Sequence, residues 1–291
     1  MSEPTGSLKA LIVTADDFGL APEVNEGVEL AHTKGILTAA SLMVRGAAFE
    51  DAVARARRLP SLRIGLHLVL VDGAPALPPE RIPDLVDGLG RLRNDLVMVG
   101  VDMFLRPGVR RQLAAEIEAQ FAAYRATGLP LDHVNAHHHF HLHPTIREQV
   151  LDIGRRHGMR SVRVPREPGE VVARIDPHTR FNGSWLTAMW AAELGRRVRG
   201  CGLCAPEQVF GLRWSGAMNE CRVAGVLRSL PDGLTELYCH PATASDFAGA
   251  TRGYRYADEL AALTAPRIKE ILLATGARSG GFSDFAHGNA S

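Results

Sequence analysis

The chain has 291 residues, of which 46% are hydrophobic and 22% are charged, and its formal net charge is +1. This composition provides enough apolar side chains for a continuous core and excludes disorder along most of the chain. The balanced charge excludes the global basic field by which many nucleic-acid-binding proteins attract phosphate. The length fits one large α/β barrel domain or two small domains.

The cysteines and the N-terminus predict a reduced, cytoplasmic protein. Disulfide frameworks belong to small secreted domains that follow a signal peptide, whereas residues 1–9 are polar and lack a basic region before an apolar stretch. No apolar window of about 18 residues predicts a transmembrane span. Cys201 and Cys204 have C-x-x-C spacing, but neither a second ligand pair nor a thioredoxin-like context accompanies them, so we attribute the spacing to chance or to helix-end packing.

Short apolar segments alternate along the chain with longer amphipathic segments. The predicted strands are 8–15, 37–44, 62–71, 133–141, 161–164, 210–214, 235–240 and 279–285. The predicted helices are 22–34, 49–59, 112–127, 145–157, 185–199, 219–229 and 257–275. This alternation implies parallel strands joined by crossover helices. It favours an α/β fold of the (β/α) barrel type, irregular or incompletely closed, with an open doubly wound sheet as the alternative.

One segment, 71–107, interrupts the alternation. It is rich in proline and glycine and contains apolar pieces such as 96–99. Long irregular connections in compact domains are often active-site lids. A solvent-facing excursion or an oligomer contact is the alternative. We therefore predict a single domain over residues 1–291, with 71–107 as its lid or insertion.

Polar residues interrupt the predicted strands mostly toward their carboxyl ends, where ligands gather in parallel α/β folds. These residues are Asp16, Asp17, His67, His137, His139, His141, Arg163 and His240. Taken singly, paired aspartates also suit a helix N-cap, and a lone histidine in an apolar strand is more often a satisfied core residue. Their shared placement favours one common site.

The run of histidines at 137–143 is the most informative motif. Alternation along a strand would place His137, His139 and His141 on one face. Stacked imidazoles are costly to bury unless a metal ion or carboxylates hold them. The run therefore predicts a metal or catalytic role for some of its members.

The residue types at these strand ends suit metal-assisted hydrolysis. One aspartate and two histidines can bind zinc or a similar divalent ion and leave positions open for water and substrate. An adjacent second aspartate can serve as general base, and a histidine on another strand end can protonate the leaving group.

These motifs resemble the YdjC-like carbohydrate deacetylases, which include chitooligosaccharide deacetylases. The matching pieces occur in the family's order and are Thr-Ala-Asp-Asp-Phe-Gly at 14–19, Gly-Leu-His at 65–67, His-Val-Asn-Ala-His-His-His-Phe-His at 133–141, Arg-Val-Pro at 163–165 and Cys-His-Pro-Ala at 239–242. The resemblance implies a barrel-like fold related to the polysaccharide deacetylases. It implies activity as a metal-dependent hydrolase of an acetamide.

The resemblance also implies roles for individual residues. One divalent ion, zinc or magnesium, would be held by Asp17, His67 and His137. Asp16 would be the base, His240 the acid, and Arg163 the arginine that orients the catalytic aspartate. Adjacency alone leaves the roles of Asp16 and Asp17 exchangeable. One ion cannot use every histidine, so we expect His139 and His141 to orient ligands or face substrate.

Asn135 departs from the family pattern, because many members carry an aspartate there. Asparagine lacks the charge but keeps hydrogen-bonding capacity. This form is similar to the branch associated with hopanoid biosynthesis, and it implies as substrate an N-acetylglucosaminyl hopanoid that is converted to the glucosaminyl lipid. The apolar pieces of 71–107 and the Trp185 to Trp190 segment agree with a lipid-linked substrate, although core packing also explains that helix.

The expected partner is an N-acetylated amino sugar, with or without a lipid, and no nucleic acid. Oligomerisation and a transient contact with a membrane surface stay open. The alternatives are a chitooligosaccharide deacetylase, a phosphoester hydrolase with two metal ions, and a non-enzymatic protein that binds metal or lipid.

Overall fold

A parallel β-sheet runs through the computed structural model, which describes residues 9–179 and 185–286. Strands β1 to β7 span Lys9–Phe18, Ala39–Leu42, Arg63–Leu68, Val134–Ala136, Gln208–Phe210, Gly233–Cys239 and Arg278–Ser279. Helices α1 to α10 span Pro22–Lys34, Phe49–Arg58, Leu96–Leu105, Pro107–Ala126, Pro144–Arg156, Gly169–Ile175, Trp185–Gly200, Glu220–Arg228, Tyr256–Thr264 and Pro266–Thr275. No helix within the described ranges is long and apolar enough to cross a bilayer.

The sheet has the strand order β4-β3-β2-β1-β6-β5, and β7 makes a short additional pair with β1. All of these pairs are parallel. The segment 161–166 connects the two edge strands, since Arg163 N–H donates to Val134 O (3.0 Å) and Val209 N–H donates to Arg166 O (2.8 Å). The prediction of an irregular barrel is thereby confirmed, and the open doubly wound alternative is wrong.

The central strand β1 is buried on both faces, as parallel strands covered by helices usually are. Ile12, Thr14 and Asp16 share one face because side chains alternate along a strand. Ile12 packs with Ala39 and Phe282 in a small cluster separate from the main core. This inner face therefore changes from apolar to polar toward the carboxyl end of β1, which is the end where the candidate site lies.

The strand predicted for 133–141 is wrong beyond Ala136. Residues His137–Leu142 form a 3-10 turn, in which His138 and His139 have φ angles of 54° and 53°. Left-handed backbone breaks the two-residue alternation of a strand. His137, His139 and His141 consequently do not share one strand face.

Other segments also differ from the predicted elements. The predicted strand 210–214 is observed at Gln208–Phe210, and the predicted strand 161–164 makes only isolated bridges. The single helix predicted for 257–275 is two helices, because Pro266 has no N–H and keeps Ala265 extended (ψ 130°). The predicted strand 279–285 is mostly a 3-10 turn at Phe282–Asp284. The predicted irregular segment 71–107 contains helix α3.

The beginning of the 71–107 segment is anchored to α4 by buried polar side chains. The carboxylate of Glu116 accepts hydrogen bonds from Ala76 N–H (2.7 Å) and Leu77 N–H (3.0 Å). Gln120 accepts from Val69 N–H at 2.9 Å and donates to Val69 O at 2.6 Å. Buried backbone donors left without a partner cost about 1–3 kcal/mol each, so these contacts fix where the segment leaves β3.

Replacing Glu116 with Gln tests this anchor through the pH dependence of stability. Burial raises the pKa of Glu116, so its contribution to stability is full below about pH 4 and falls as the pH rises through the folded pKa. Gln does not titrate. We expect the free energy of unfolding of the wild type to decline relative to Glu116→Gln between about pH 4 and pH 7 in urea titrations. A wild-type advantage that stays constant or grows with pH would contradict this.

Candidate active site

The two aspartates at the end of β1 both line one cavity at the carboxyl end of the sheet. Adjacent residues of a regular strand point to opposite faces. Here the register between β1 and β2 shifts after Ala15, and Asp17 has a φ of 63°. Left-handed backbone at a non-glycine residue is uncommon and clusters at functional sites. It allows Asp16 and Asp17 to meet different partners in the same cavity.

Asp17 faces two histidines from other strand ends. Its Oδ1 lies 3.3 Å from His67 Nε2 and 3.5 Å from His137 Nδ1. One potential ligand atom from each residue lies within 4.8 Å of the others. Tetrahedral zinc with bonds near 2.1 Å separates its ligand atoms by about 3.4 Å. The three side chains therefore have a spacing that suits one divalent ion.

The unpaired atoms of this triad also fit a cation. Asp17 Oδ1 and His67 Nε2 are buried and have no hydrogen-bond partner among the described residues. Burial alone would raise the pKa of Asp17, but its contacts with His137 and His67 outweigh burial and hold that pKa well below the usual range. A buried ionised oxygen beside imidazole nitrogens is the donor set that zinc accepts.

Asn135 orients His67 and links the triad to Asp16. Its Oδ1 lies 2.7 Å from His67 Nδ1 and accepts that N–H, which leaves the Nε2 lone pair directed toward Asp17. Its Nδ2 donates to Asp16 Oδ1 at 2.9 Å. An amide can accept and donate at once, whereas an ionised aspartate in this position would set a second negative charge against Asp16.

Asp16 is held by Arg163. Arg163 donates to Asp16 Oδ2 at 2.5 Å and to Oδ1 at 3.0 Å, and its other edge binds Glu236. The guanidinium is 0% exposed and lies 4.5 Å from the centre of the Tyr238 ring. Burial alone would raise the pKa of Asp16, but the Arg163 charge outweighs it and keeps the carboxyl ionised. Asp16 is thus engaged by an arginine while Asp17 is left to the histidines.

The remaining predicted histidines occupy different surroundings. His139 lines the cavity, with Nε2 3.1 Å from the Tyr238 hydroxyl. His141 lies away from the cavity lining and donates from Nε2 to Arg163 O at 2.9 Å. Burial lowers the pKa of His141 to about 4, so this ring is neutral. His141 therefore supports the backbone of Arg163 and does not line this cavity.

His240 follows β6 and lies on the cavity wall. Its Nδ1 is 3.9 Å from the buried carboxylate of Glu259, which also accepts the His240 backbone N–H at 2.5 Å. The Tyr254 ring lies 5.0 Å from the imidazole, centre to centre. Glu259 therefore holds the His240 backbone, while the imidazole lies on the cavity wall.

Several residues of this site were not predicted from the sequence. They are Ser41, His133, Glu236, Tyr238, Tyr254 and Glu259. Ser41, Glu236 and Tyr238 lie on strands β2 and β6, and His133 directly precedes β4, whereas Tyr254 and Glu259 lie outside the sheet. A polar residue within an apolar strand was the signal that could have indicated a site residue. The residues that these side chains contact lie far away along the chain, so the sequence did not reveal the contacts.

Comparisons with known protein sequences agree on one family. The sequence profile described as "YdjC-like protein" matches residues 10–274. A carbohydrate deacetylase of Homo sapiens is 31% identical over 302 residues, covering 91% of this chain and 88% of that protein. A chitooligosaccharide deacetylase of Yersinia pestis (strain Pestoides F) is 29% identical over 283 residues, covering 95% and 99%.

Other comparisons cover part of a relative or concern the fold. A carbohydrate deacetylase of Brevibacillus brevis is 42% identical over 143 residues, which is 49% of this chain and 54% of that protein, so this match spans about half of each. A crystal structure from Enterococcus faecalis V583, described as a cellobiose-phosphate cleavage protein, has a TM-score of 0.76 at 24% identity and covers 96% of this chain and 99% of that one. At this identity the likeness concerns the fold.

Titrating the protein with zinc in a calorimeter tests the triad. We expect one equivalent of zinc to bind per chain. Asp17→Asn should weaken zinc binding by more than about 100-fold, because losing a residue that only hydrogen-bonds to a ligand typically costs about 10–100-fold. Asp72→Asn is the matched control, because Asp72 forms a second, exposed group with His137 and His138. Two equivalents, or a larger loss in the control than in Asp17→Asn, would overturn the triad and favour a site with two metals.

Proposed function

The chain belongs to the YdjC-like protein family, and from this premise we propose that it hydrolyses the acetamide of an N-acetylated amino sugar. The observation that carries the proposal is that the two adjacent aspartates at the end of β1 have different partners. Asp17 converges with His67 and His137, whereas Asp16 beside it is tied to Arg163. Relatives described as carbohydrate and chitooligosaccharide deacetylases support the same chemistry.

The metal site in this proposal consists of Asp17, His67 and His137. A divalent ion bound there, zinc or magnesium, would polarise the acetamide carbonyl and lower the pKa of water. Asn135 keeps His67 in the tautomer whose Nε2 is free to bind. The two tyrosines of the cavity, Tyr238 and Tyr254, offer aromatic faces and hydroxyls to a sugar ring.

Asp16 is the proposed general base. Its Oδ1 accepts bonds from Arg163, Asn135 and Ser41, whereas its Oδ2 accepts one bond, from Arg163, among the described residues. The remaining lone pair of Oδ2 is therefore the one available for a proton. Arg163 keeps the carboxylate ionised and fixed, so it orients the base without touching the substrate.

His240 is the proposed general acid. The water oxygen adds to the acetamide carbon while Asp16 accepts a water proton, and the C–N bond then breaks as His240 protonates the nitrogen. The products are acetate and the free amine. Glu259 fixes the position of His240 by accepting its backbone N–H.

The finer proposal for the substrate is a glycolipid of the N-acetylglucosaminyl hopanoid type, with a chitooligosaccharide as the alternative. Two helices expose large apolar side chains, which are Val97, Met98, Val101, Phe104 and Leu105 on α3 and Trp185, Leu186 and Met189 on α7. His143 joins these helices, with ring centres 6.4 Å from Phe104 and 5.7 Å from Trp190. Exposed apolar patches of this kind mark interaction sites, and this one would suit a lipid or a transient contact with a membrane surface.

Acetate release by Asp16→Asn tests the base. We expect kcat to fall by about 10²–10⁴-fold, the usual contribution of a positioned acid or base, while zinc binding stays within about twofold of wild type. His240→Asn should lower kcat by a similar factor. An enzymatic assay with a chitooligosaccharide and a zinc titration measure the two effects separately. Undiminished acetate release by Asp16→Asn would remove the assigned mechanism.

Acetate release from two substrates tests the finer proposal. The substrates are a chitooligosaccharide and an N-acetylglucosaminyl hopanoid in the same detergent. We expect a higher kcat/KM on the glycolipid, and Phe104→Ser should lower that value by about 10-fold, or about 1.4 kcal/mol of lost apolar contact. The chitooligosaccharide should show no such loss. Activity on the sugar oligomer alone would remove the glycolipid assignment and leave the deacetylase.

A further inference from the structure

A row of buried hydrogen bonds reaches Asp16 from residues that do not line the cavity. It runs from Asp132 through the His133 ring and the Ser41 hydroxyl to Asp16 Oδ1, with heavy-atom distances of 2.9, 2.9 and 3.1 Å. All four residues are buried, and Ser41 and His133 are 0% exposed. The mechanism above uses Ser41 as one donor to Asp16 and gives no role to His133.

The number of hydrogens in this row determines the protonation of His133. Ser41 Oγ lies beside Asp16 Oδ1, His133 Nε2 and Asn135 Nδ2. Asn135 donates to it, since its Oδ1 already accepts from His67. The single hydroxyl hydrogen can then serve either Asp16 or His133, and the other contact needs a hydrogen from elsewhere.

Both oxygens of Asp132 accept backbone N–H groups, as an ionised carboxylate does. Beside an ionised Asp132, only a doubly protonated His133 satisfies every contact. Its Nδ1–H donates to Asp132 and its Nε2–H donates to Ser41, so that the Ser41 hydroxyl is free to donate to Asp16. With a neutral His133 whose hydrogen on Nδ1 is donated to Asp132, the Ser41 hydroxyl would turn to Nε2, leaving two oxygens 3.1 Å apart without a hydrogen between them. Buried polar groups rarely remain in such an arrangement.

The surroundings of His133 suit a positive charge. Asp132 is itself fixed by the backbone N–H groups of Phe282 (3.1 Å) and Ser283 (2.8 Å). The Phe282 ring is stacked on the imidazole at 4.2 Å between centres, a contact that favours a cation over an aromatic face. Gly65 leaves the necessary space, since a Cβ there would lie 2.4 Å from His133 Cε1.

We propose that His133 and Ser41 are positioning residues, with His133 held as an imidazolium that directs the Ser41 hydroxyl onto Asp16 Oδ1. The row occupies Oδ1 and so reserves Oδ2 for the attacking water. This inference rests on the proposed role of Asp16 as base. The geometry of the row and the charge of His133 are properties of the folded protein that are measurable without turnover.

Nitrogen-15 NMR of the zinc-loaded protein with labelled histidines tests the charge directly. The His133 signals are assigned by their loss in His133→Gln. We expect both ring nitrogens of His133 to carry a hydrogen at pH 7.5. A neutral ring with one protonated nitrogen would overturn the proposal, whether or not the protein releases acetate, so this result is separable from a failure of the deacetylase function.

Kinetics of Ser41 variants test the positioning role. Ser41→Ala should lower kcat about 10–100-fold, as loss of an outer partner typically does, with KM and zinc affinity within about twofold of wild type. Ser41→Cys keeps the shape and a weak donor, so its kcat should lie between those of Ala and Ser. The control is Ser161→Ala, another fully buried serine outside the row, which should retain wild-type kcat.

The double variant His133→Gln, Ser41→Ala shows whether the two residues act on kcat through the same hydrogen bond or lower it by destabilising the fold. If both residues act through the same hydrogen bond, the double variant should lose no more kcat than Ser41→Ala, within about twofold. Multiplicative losses, an equal loss in Ser161→Ala, or a kcat of Ser41→Cys no higher than that of Ser41→Ala would overturn the positioning role. Thermal unfolding of each variant shows whether it folds.

Discussion

The buried ion cluster around Arg163 is the constraint on which the candidate site depends. A fully buried guanidinium requires compensation, and Asp16 and Glu236 supply it from the two neighbouring strands β1 and β6. Breaking such a cluster by removing one partner leaves an uncompensated charge and typically costs about 3–5 kcal/mol. Since Asp16 is committed to this cluster, Asp17 is the carboxylate left for the histidines. The cluster thereby distinguishes two chemically identical neighbours.

The barrel brings these groups together because its inner face turns polar near the carboxyl ends of the strands. The triad comes from β1, β3 and the turn that follows β4, while His240 comes from the end of β6. These strands pair as β1 with β6 and as β3 with β4, and neither pair is joined by a tight turn. The distances between the side chains are therefore set by the pairing of the strands in the sheet. Asn135 then couples His67, a proposed metal ligand, to Asp16, the proposed base, through one amide. The proposed metal site and the proposed base thus belong to one hydrogen-bond network.

Many of the cavity residues were predicted from the sequence, because polar residues near the ends of apolar strands are recognisable in it. Helix α1 was predicted with its observed limits, since Pro22 and Gly35 mark them. The histidine run was misassigned to a strand, because the two adjacent residues in the left-handed region leave no periodic signal in the sequence. Glu236, the second partner of Arg163, and Ser41, a partner of His133, were not predictable either. Glu236 and Ser41 lie 73 and 92 residues away from them, and one sequence does not reveal such contacts.

The central claim is that Asp16 and Asp17, though adjacent, have separate tasks. Anomalous diffraction from crystals of the zinc-loaded protein tests it most directly, because it locates the ion and both carboxylates together. The account predicts zinc bound to Asp17, His67 and His137, with Asp16 still paired with Arg163. An ion bound by Asp16, with Arg163 released from that carboxylate, would contradict it.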